Sequence, residues 1–504
     1  MNRTFDFLIA GAGFGGCLMG QILQRLGHQV LITDAASHPR FAIGESSTPL
    51  ADAKLEELCE RYRLPEIAPL SQYGSAKRHL PQLTIGLKRG FSYFRQRRGE
   101  SFTAVGGRVE QLIVAASGAD ATSDTHWLRS DVDHFFAQRA MSEGIPLWER
   151  TTIERIERDS QLWRVSLVNR SAERQTVSAR FLIDASGRAG AIASLASQLD
   201  GSIAEVAAPY CFRTNSRALF GHFSGVTPWH DMLNQQGVST DNHPFHCDHA
   251  ALHHIIDGGW IWNLRFDNGI TSVGVVLDSE RHRSIEHLSA EHQFWEIVSG
   301  YPSVSKQMSQ ARCVAPHAGI QATARMQFLR PAVAGREWAC LPSAAGFVDP
   351  LHSTGIAHTL YAIGALGDIF AHHELGTEQL AQQLMGYARG LRQEFSLIDQ
   401  LVAAAYHTNA NFDAFVSATM LYFAAATNAE RETPEASSLF LNAGNLPFRS
   451  AVDCCLATID ECHRGAKPWA ELSAVVRQQI EPFNVAGLAD DSLENIYRHT
   501  VAPS

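Results

Sequence analysis

The sequence predicts an α/β fold with α+β elements: a dinucleotide-binding unit at the N-terminus, a β-rich middle and a helical C-terminal region. Three observations predict it. A buried-strand pattern runs straight into a glycine loop and a helix. Two further glycine-bearing elements each follow a strand pattern. From residue 376 onward, helical periodicity dominates.

Residues 5–10, Phe-Asp-Phe-Leu-Ile-Ala, read as a buried parallel strand. Gly11-Ala12-Gly13-Phe14-Gly15-Gly16 follows, and then a helical pattern through Leu18, Ile22, Leu23 and Leu26 that Gly27 stops. Val30–Asp34 reads as the second strand. This is a βαβ unit whose glycines let the backbone approach a pyrophosphate at the helix N-terminus, with Asp34 placed to take a ribose hydroxyl. Residues 50–64 read as helix, 74–116 as strands and loops, and 130–142 as a helix opened by Ser130-Asp131 as a capping pair. Residues 151–184 read as a β meander, 205–310 as mixed strands and loops, 336–348 as a strand then a loop, and 355–372 as a long helix.

Composition narrows the function classes. With 504 residues, 45% of them hydrophobic and 19% charged, the chain can bury a large core without disulfides. Its net charge of −10 is spread along the chain, which argues against nucleic acid as main partner. The one basic cluster, Arg95, Arg97 and Arg98, reads as a solvated turn. Nine cysteines with no CxxC pair read as reduced thiols of a cytoplasmic protein. No apolar run is long enough to span a bilayer, and the apolar N-terminus reads as a buried first strand rather than a signal peptide. His243, His246, Cys247, His249, His253 and His254 match no zinc spacing, so no metal is expected.

The second glycine-bearing element is Asp184-Ala185-Ser186-Gly187-Arg188, and the third is Gly346-Phe347-Val348-Asp349-Pro350 ahead of a helix. In this order the three elements resemble the FAD-dependent monooxygenase superfamily. Finer features resemble the flavin-dependent halogenases, and within them the branch acting on free phenolic substrates. These are Gly44-Glu45-Ser46 with Pro49, the FxxPxxSxG pattern from Phe347 to Gly355, Lys88-Arg89-Gly90-Phe91, and His253–Trp262. The resemblance covers residues 1 to about 365.

The resemblance implies a glutathione-reductase-type FAD-binding Rossmann domain over 1–75, 105–200 and 312–370. Interleaved with it comes a β-rich substrate layer over 76–104 and 201–311, followed by a helical region over 371–504. It implies that FAD, used as FADH2, is held by Gly11, Gly13, Phe14, Gly16, Asp34, Arg40, Glu45, Ser46 and Arg129. Asp184, Gly187, Asp349, Gly355 and Ile356 complete that set. Chloride or bromide would bind at Ser353, Thr354 and Gly355, where a loop-to-helix junction offers backbone N–H donors. Hypohalous acid would then pass to Lys88, and from it to a phenolic or pyrrole-like ring. A separate flavin reductase would supply FADH2 through transient contact. A carrier protein is not indicated. Such chemistry belongs to secondary metabolism, antibiotic biosynthesis included.

Three points stay open at the level of sequence. Lys88 reads either as a solvated strand lysine or as the buried catalytic amine. His352 stands where tryptophan halogenases carry Glu; it reads as a catalytic acceptor of a phenol proton or as a structural histidine bonded to a carbonyl. The family's WxWxIP segment is here Trp260-Ile261-Trp262-Asn263-Leu264-Arg265, which removes a rigid proline and adds a charge beside the site. An aromatic hydroxylase on the same fold is therefore the first alternative. A flavin dehydrogenase or double-bond reductase of the lipid-reductase branch and a non-catalytic flavoprotein are the others. The tail aromatics Tyr406, Phe412, Phe415, Tyr422 and Phe423 read as core packing, with some free to roof a substrate pocket.

Overall fold

The computed structural model describes residues 3–103, 109–159, 162–199, 209–431, 439–498 and 500. Two sheets dominate it. Among the described residues the first has seven strands, in the order Leu147–Trp148, Val30–Thr33, Arg3–Ala10, Arg174–Asp184, Leu162–Asn169, Thr151–Asp159. Trp338–Cys340 adds to Arg174–Asp184. The N-terminal run is its parallel centre, and Phe7, Leu8 and Ile9 have no exposed surface because both sides of the sheet are covered. Phe7 meets Phe181 of the neighbouring strand and Phe370 of the helix Gly355–His372, with ring centroids 5.4 and 4.9 Å apart. Each such ring contributes about 1.5–3 kcal/mol by burial.

The second sheet has nine strands among the described residues. From one edge it runs Arg312–Ala315, Ser216–Ser224, Thr271–Asp278, Gly259–Arg265, Ala251–Ile256, Gly90–Arg95, Gln111–Ala115, Ile496–Tyr497, with Gln321–Ala322 also on Ser216–Ser224. A small ladder of Ile85–Lys88 against Asp124–Trp127 pairs Lys88 with Asp124 directly. Gly90 then redirects the chain into the large sheet. A Cβ there would lie 2.0 Å from the Val114 carbonyl oxygen, so only glycine lets Lys88 and Phe91 stand this close in sequence on two different ladders.

The helices Glu378–Thr408, Phe412–Arg431, Leu446–His463 and Ala470–Ile480 pack on one another, and Phe412–Arg431 also packs on Pro49–Arg61. Four expectations are corrected. Gln111–Ala115 and the strands at 312–322 belong to the second sheet, because the first is the hairpin partner of Gly90–Arg95 and the others extend Ser216–Ser224. The C-terminal region is not wholly helical: Ile496–Tyr497 returns to pair parallel with Gln111–Ala115. The helix Arg129–Ser142 starts with Leu128 at its N-cap and has no side-chain cap; Asp131 instead accepts the Thr84 N–H. Helices Tyr73–His79, Trp229–Gln235, Ala290–Ser299 and Pro302–Gln307 lie where strands and loops were expected. They are short, so few turns carry the helical period.

Candidate functional site

The three glycine-bearing elements converge on one cavity of about 650 Å³. Gly11, Gly13 and the start of the helix Phe14–Arg25 form its floor; that helix has no N-cap side chain, and although the Phe14 N–H donates to Asp133 at 3.3 Å, the amides of Gly15 and Gly16 stay open to a ligand. Gly16 is glycine for packing: a Cβ would sit 2.0 Å from the Gly11 carbonyl oxygen. Asp34, Arg40 and Arg129 line the same cavity. Asp34 accepts the Ala12 N–H at 2.8 Å and an Arg40 N–H at 3.2 Å. Arg129 is held by the fully buried Asp133 through two bonds, of 2.9 and 3.0 Å, and donates to the Ile43 and Gly44 carbonyls. Asp133 was not singled out in the sequence, although its i,i+4 spacing from Arg129 is the signal that would have found it.

Gly187, Asp349, Thr354, Gly355 and Ile356 complete the wall. The helix Gly355–His372 also opens without a side-chain cap, and nothing lies within 4 Å of where a Gly355 Cβ would be. Ser353 just before it adopts the left-handed backbone, φ 52°, which aims the following amides as a short turn. These two uncapped helix starts, one carboxylate and two arginines fit the phosphates and ribose of a dinucleotide.

Three expected cofactor residues do not face this cavity, and Ser353, expected at the halide, does not line it either. Asp184 is spent locally: its carboxylate accepts the N–H groups of Ser186, Ile192 and Ala193 and the Ser186 hydroxyl. Glu45 turns into the second sheet and pairs with His222 at 3.0 Å. Ser46 forms a backbone bridge with His126. Each is held by nearer polar partners or by strand pairing.

Lys88 is fully buried, which excludes the solvated-strand reading. Its Nζ donates to the Ser47 carbonyl at 2.6 Å and to Asp124 at 3.3 Å, and stands 4.2 Å from the centre of the Phe91 ring. Asp52 joins through the Ser47 hydroxyl, which donates to it at 2.9 Å. Burial pushes the Lys88 ammonium below its usual range, with Asp124 opposing, and pushes the carboxyls of Asp124 and Asp52 upward. A neutral amine is thus more accessible here than on a surface.

Beside it lies a narrow recess with aromatic walls of Phe91, Tyr422 and Phe423, closed by Thr48, Pro49 and Glu430. Tyr422 stacks on His352 at 4.3 Å and 4°. His352 is buried, and burial lowers its pKa to about 3, so its ring is neutral. The Leu401 backbone offsets part of this, but neither ring nitrogen makes a well-formed hydrogen bond. The structure therefore does not give His352 the carbonyl anchor of a purely structural histidine. The stripe of tail aromatics divides: Tyr422 and Phe423 wall the recess, whereas Phe412 and Phe415 pack together.

Asp349 ties the large cavity to the second sheet and to the helix Glu378–Thr408. Its carboxylate lines the large cavity and accepts the hydroxyls of Ser216 at 2.7 Å and Tyr406 at 2.8 Å. Trp260 in turn donates to Tyr406 at 3.0 Å. Burial pushes Asp349 up to about 6. Trp262 donates to Ser272, and Arg265 donates to the Val226 carbonyl at 2.9 Å. Arg265 lines neither the cavity nor the recess, so the expected charge beside the site is absent; the carbonyl draws it away. His230, His246 and His249 stack in a row, and no group of three or more His, Cys, Asp or Glu among the described residues is placed to hold a metal ion. No described helix is long and apolar enough to cross a membrane.

The tryptophan halogenase family model matches residues 216–430. The tetracycline 7-halogenase of Kitasatospora aureofaciens is 31% identical over 371 residues, 72% of this chain and 63% of that protein. The monodechloroaminopyrrolnitrin halogenase PrnC of Pseudomonas fluorescens is 30% identical over 72% of this chain and 61% of its own length. The chain belongs to the flavin-dependent halogenase family. It spans less than two thirds of the length of those two relatives. Among solved structures, halogenase PltM in complex with phloroglucinol and FAD shares the fold with this flavin-dependent halogenase family member. The TM-score is 0.82 at 22% identity, covering 99% of both chains.

Proposed function

We propose that this family member is an oxidoreductase that uses FADH2, oxygen and chloride or bromide to halogenate an electron-rich aromatic, phenolic or pyrrole-like. The observation that carries this reading is a lysine with no exposed surface, its amine beside an aromatic-walled recess. When bound, reduced FAD supplies with oxygen the oxidising power that turns halide into hypohalous acid. Gly11, Gly13, Phe14, Gly16, Asp34, Arg40 and Arg129 would hold the cofactor on one side, with Gly187, Asp349, Gly355 and Ile356 on the other. Backbone amides at Thr354 and Gly355, with Ser353 at the approach, would hold the halide. Lys88 receives hypohalous acid and holds it against the ring by donating or accepting at Nζ, and Asp124 and the Ser47 carbonyl fix that nitrogen in place. His352 offers a neutral acceptor beside the recess wall. A separate reductase would supply FADH2.

The test is product mass spectrometry with FAD, a flavin reductase, NADH, oxygen and bromide or chloride over phenols, indoles and pyrroles. A halogen isotope pattern is expected, falling on the order of 100-fold or more in Lys88→Met, with FAD binding kept. Oxygen insertion without halogen would overturn the reading in favour of a hydroxylase.

A further inference from the structure

The buried polar contacts of Lys88 extend one residue beyond its own partners. Ser47, inside the segment from Gly44 to Pro49, has no exposed surface and joins three elements. Its carbonyl accepts from Lys88 at 2.6 Å, its hydroxyl donates to Asp52 at 2.9 Å, and the same hydroxyl accepts the Thr125 N–H at 3.1 Å. Asp124, the residue before Thr125, also bonds Lys88, and the Asp52 and Asp124 side chains are hydrogen-bonded to each other. Two carboxyls and one amine are thus gathered in the interior, with Lys88, Asp124 and Asp52 at 0, 3 and 9% exposure. Two carboxyls in contact beside a single buried cation do not both ionise, so one of them keeps a proton.

The contacts say which one. A hydrogen bond between two carboxyls needs one O–H. Asp124 faces the ammonium, so the charge is best placed there. Asp52 receives only the Ser47 hydroxyl, at one oxygen, and the other is left to carry the hydrogen. A distance agrees. A charge-assisted N–H bond to a carboxylate is about 2.7–2.9 Å. Lys88 stands 3.3 Å from Asp124, yet 2.6 Å from the neutral Ser47 carbonyl. The Asp124 charge is shared with a second donor. We infer that Asp52 is a positioning residue for Lys88: it carries a proton, donates it in a hydrogen bond to Asp124, and so holds that carboxylate back from the amine, leaving Lys88 free to meet hypohalous acid. This rests on the halogenase reading above. The Asp52 proton stays in place throughout, and no bond to carbon or halogen forms there.

The groups facing this triad do not change the charge count. Burial and the like charge of Asp124 push Asp52 well above the carboxylate range, with Ser47 and Lys88 opposing. Burial also pushes Asp124 up, while Lys88 and the hydrogen bond from Asp52 pull it back. From the helix Phe412–Arg431, Glu430 feels both Asp124 and Lys88; burial pushes it up to about 8, so it is mostly protonated at pH 7. Tyr422 on that helix is raised by burial and stays a phenol. His126, on the strand of Asp124, and His253, on Ala251–Ile256, are lowered by burial to about 3, so both rings are neutral. One cation and one anion remain. Carboxyls that share a proton titrate as a unit, so the arrangement persists through neutral pH.

The experiment compares the FAD-loaded wild type with Asp52→Asn and Asp52→Leu. Asparagine keeps an oxygen for the Ser47 hydroxyl and puts an N–H where the carboxyl O–H stood; leucine keeps the volume and supplies neither. The infrared difference between wild type and Asp52→Asn at pH 7.5 is expected to show the carbonyl stretch of a protonated carboxyl, shifting in heavy water. Bromination of resorcinol and of pyrrole, with a flavin reductase from pH 6 to 9.5, is expected to fall about tenfold or more in Asp52→Leu. The inflection of kcat should move up by about one pH unit, because Asp124 then faces Lys88 alone and favours the ammonium. Asp52→Asn is expected to recover the rate to within about threefold, with the wild-type inflection. Absence of the protonated-carboxyl band would overturn the inference. So would a loss in Asp52→Asn equal to that in Asp52→Leu, or a full rate in Asp52→Leu. If Asp52→Leu does not fold, the band and the asparagine variant still decide. Failure of the wild type to brominate either probe would overturn the halogenase reading instead, and the band would still show whether Asp52 carries the proton.

Discussion

The two ends of the site are built from different materials. The large cavity is lined by backbone: glycine turns, two helix starts without side-chain caps, and a few charged groups already tied to neighbours. The Lys88 end is made of side chains from separate elements, with a buried lysine, three carboxylates whose pKa values are raised, and rings from the tail. A backbone-lined cavity tolerates most side-chain change but almost no added volume. A chamber of buried charges does not tolerate the loss of one partner. On the proposed function, the first would seat a large cofactor and the second would enclose the Lys88 amine away from bulk water.

That contrast can be broken from either side. The largest effect is expected from Gly16→Ala, whose new methyl meets the Gly11 carbonyl. Overpacking of this kind costs about 1–3 kcal/mol, and FAD affinity measured by fluorescence should fall at least about tenfold. The local environment of Tyr422 and Phe423, read by near-ultraviolet circular dichroism, should persist. Loss of that signal as well would show that the two ends fold as one. Tyr406→Phe sharpens the comparison on the cavity side. Removing its bond to Asp349 should lower stability by about 1–3 kcal/mol in thermal melts above pH 6. There Asp349 is ionised and needs the donor most; the difference should shrink as pH falls below about 6. An unchanged gap across that range would remove Asp349 from the account. Arg265→Ala carries the smallest effect. Its one bond to a carbonyl is worth about 0.5–1.5 kcal/mol, and the ratio of halogenated to hydroxylated product should not move. A shift toward hydroxylation would mean that this altered end of the tryptophan segment does govern the chemistry.

The same contrast explains what the sequence disclosed. The N-terminal strand, the glycine loop and the helix Gly355–His372 are local signals, each a short run in which periodicity and glycine placement agree, and all were legible. Lys88 was found through resemblance, yet its burial was not, because Ile85-Gly86-Leu87-Lys88 alternates like any half-exposed strand. Asp124 has no local mark at all; it matters only because it falls opposite Lys88 across a ladder. Asp184 errs the other way: a striking local context in sequence, but a carboxylate consumed by the turn that follows it. Local patterns predict backbone; which side chains meet is settled by topology.

The strand Ile496–Tyr497 has a consequence for how the molecule is made. It completes the second sheet beside Gln111–Ala115, and Thr500 both bonds Ala115 across 385 residues and lines the recess. The recess is thus walled by residues from Thr48 to Thr500, far apart in the chain. Contacts of such separation close late, because the chain between them must be ordered first. A growing chain can therefore form the first βαβ unit while the recess is still open on one side. A chain without Ile496–Tyr497 would keep the glycine loop and its strand partners yet lack one edge of the second sheet and one wall of the recess.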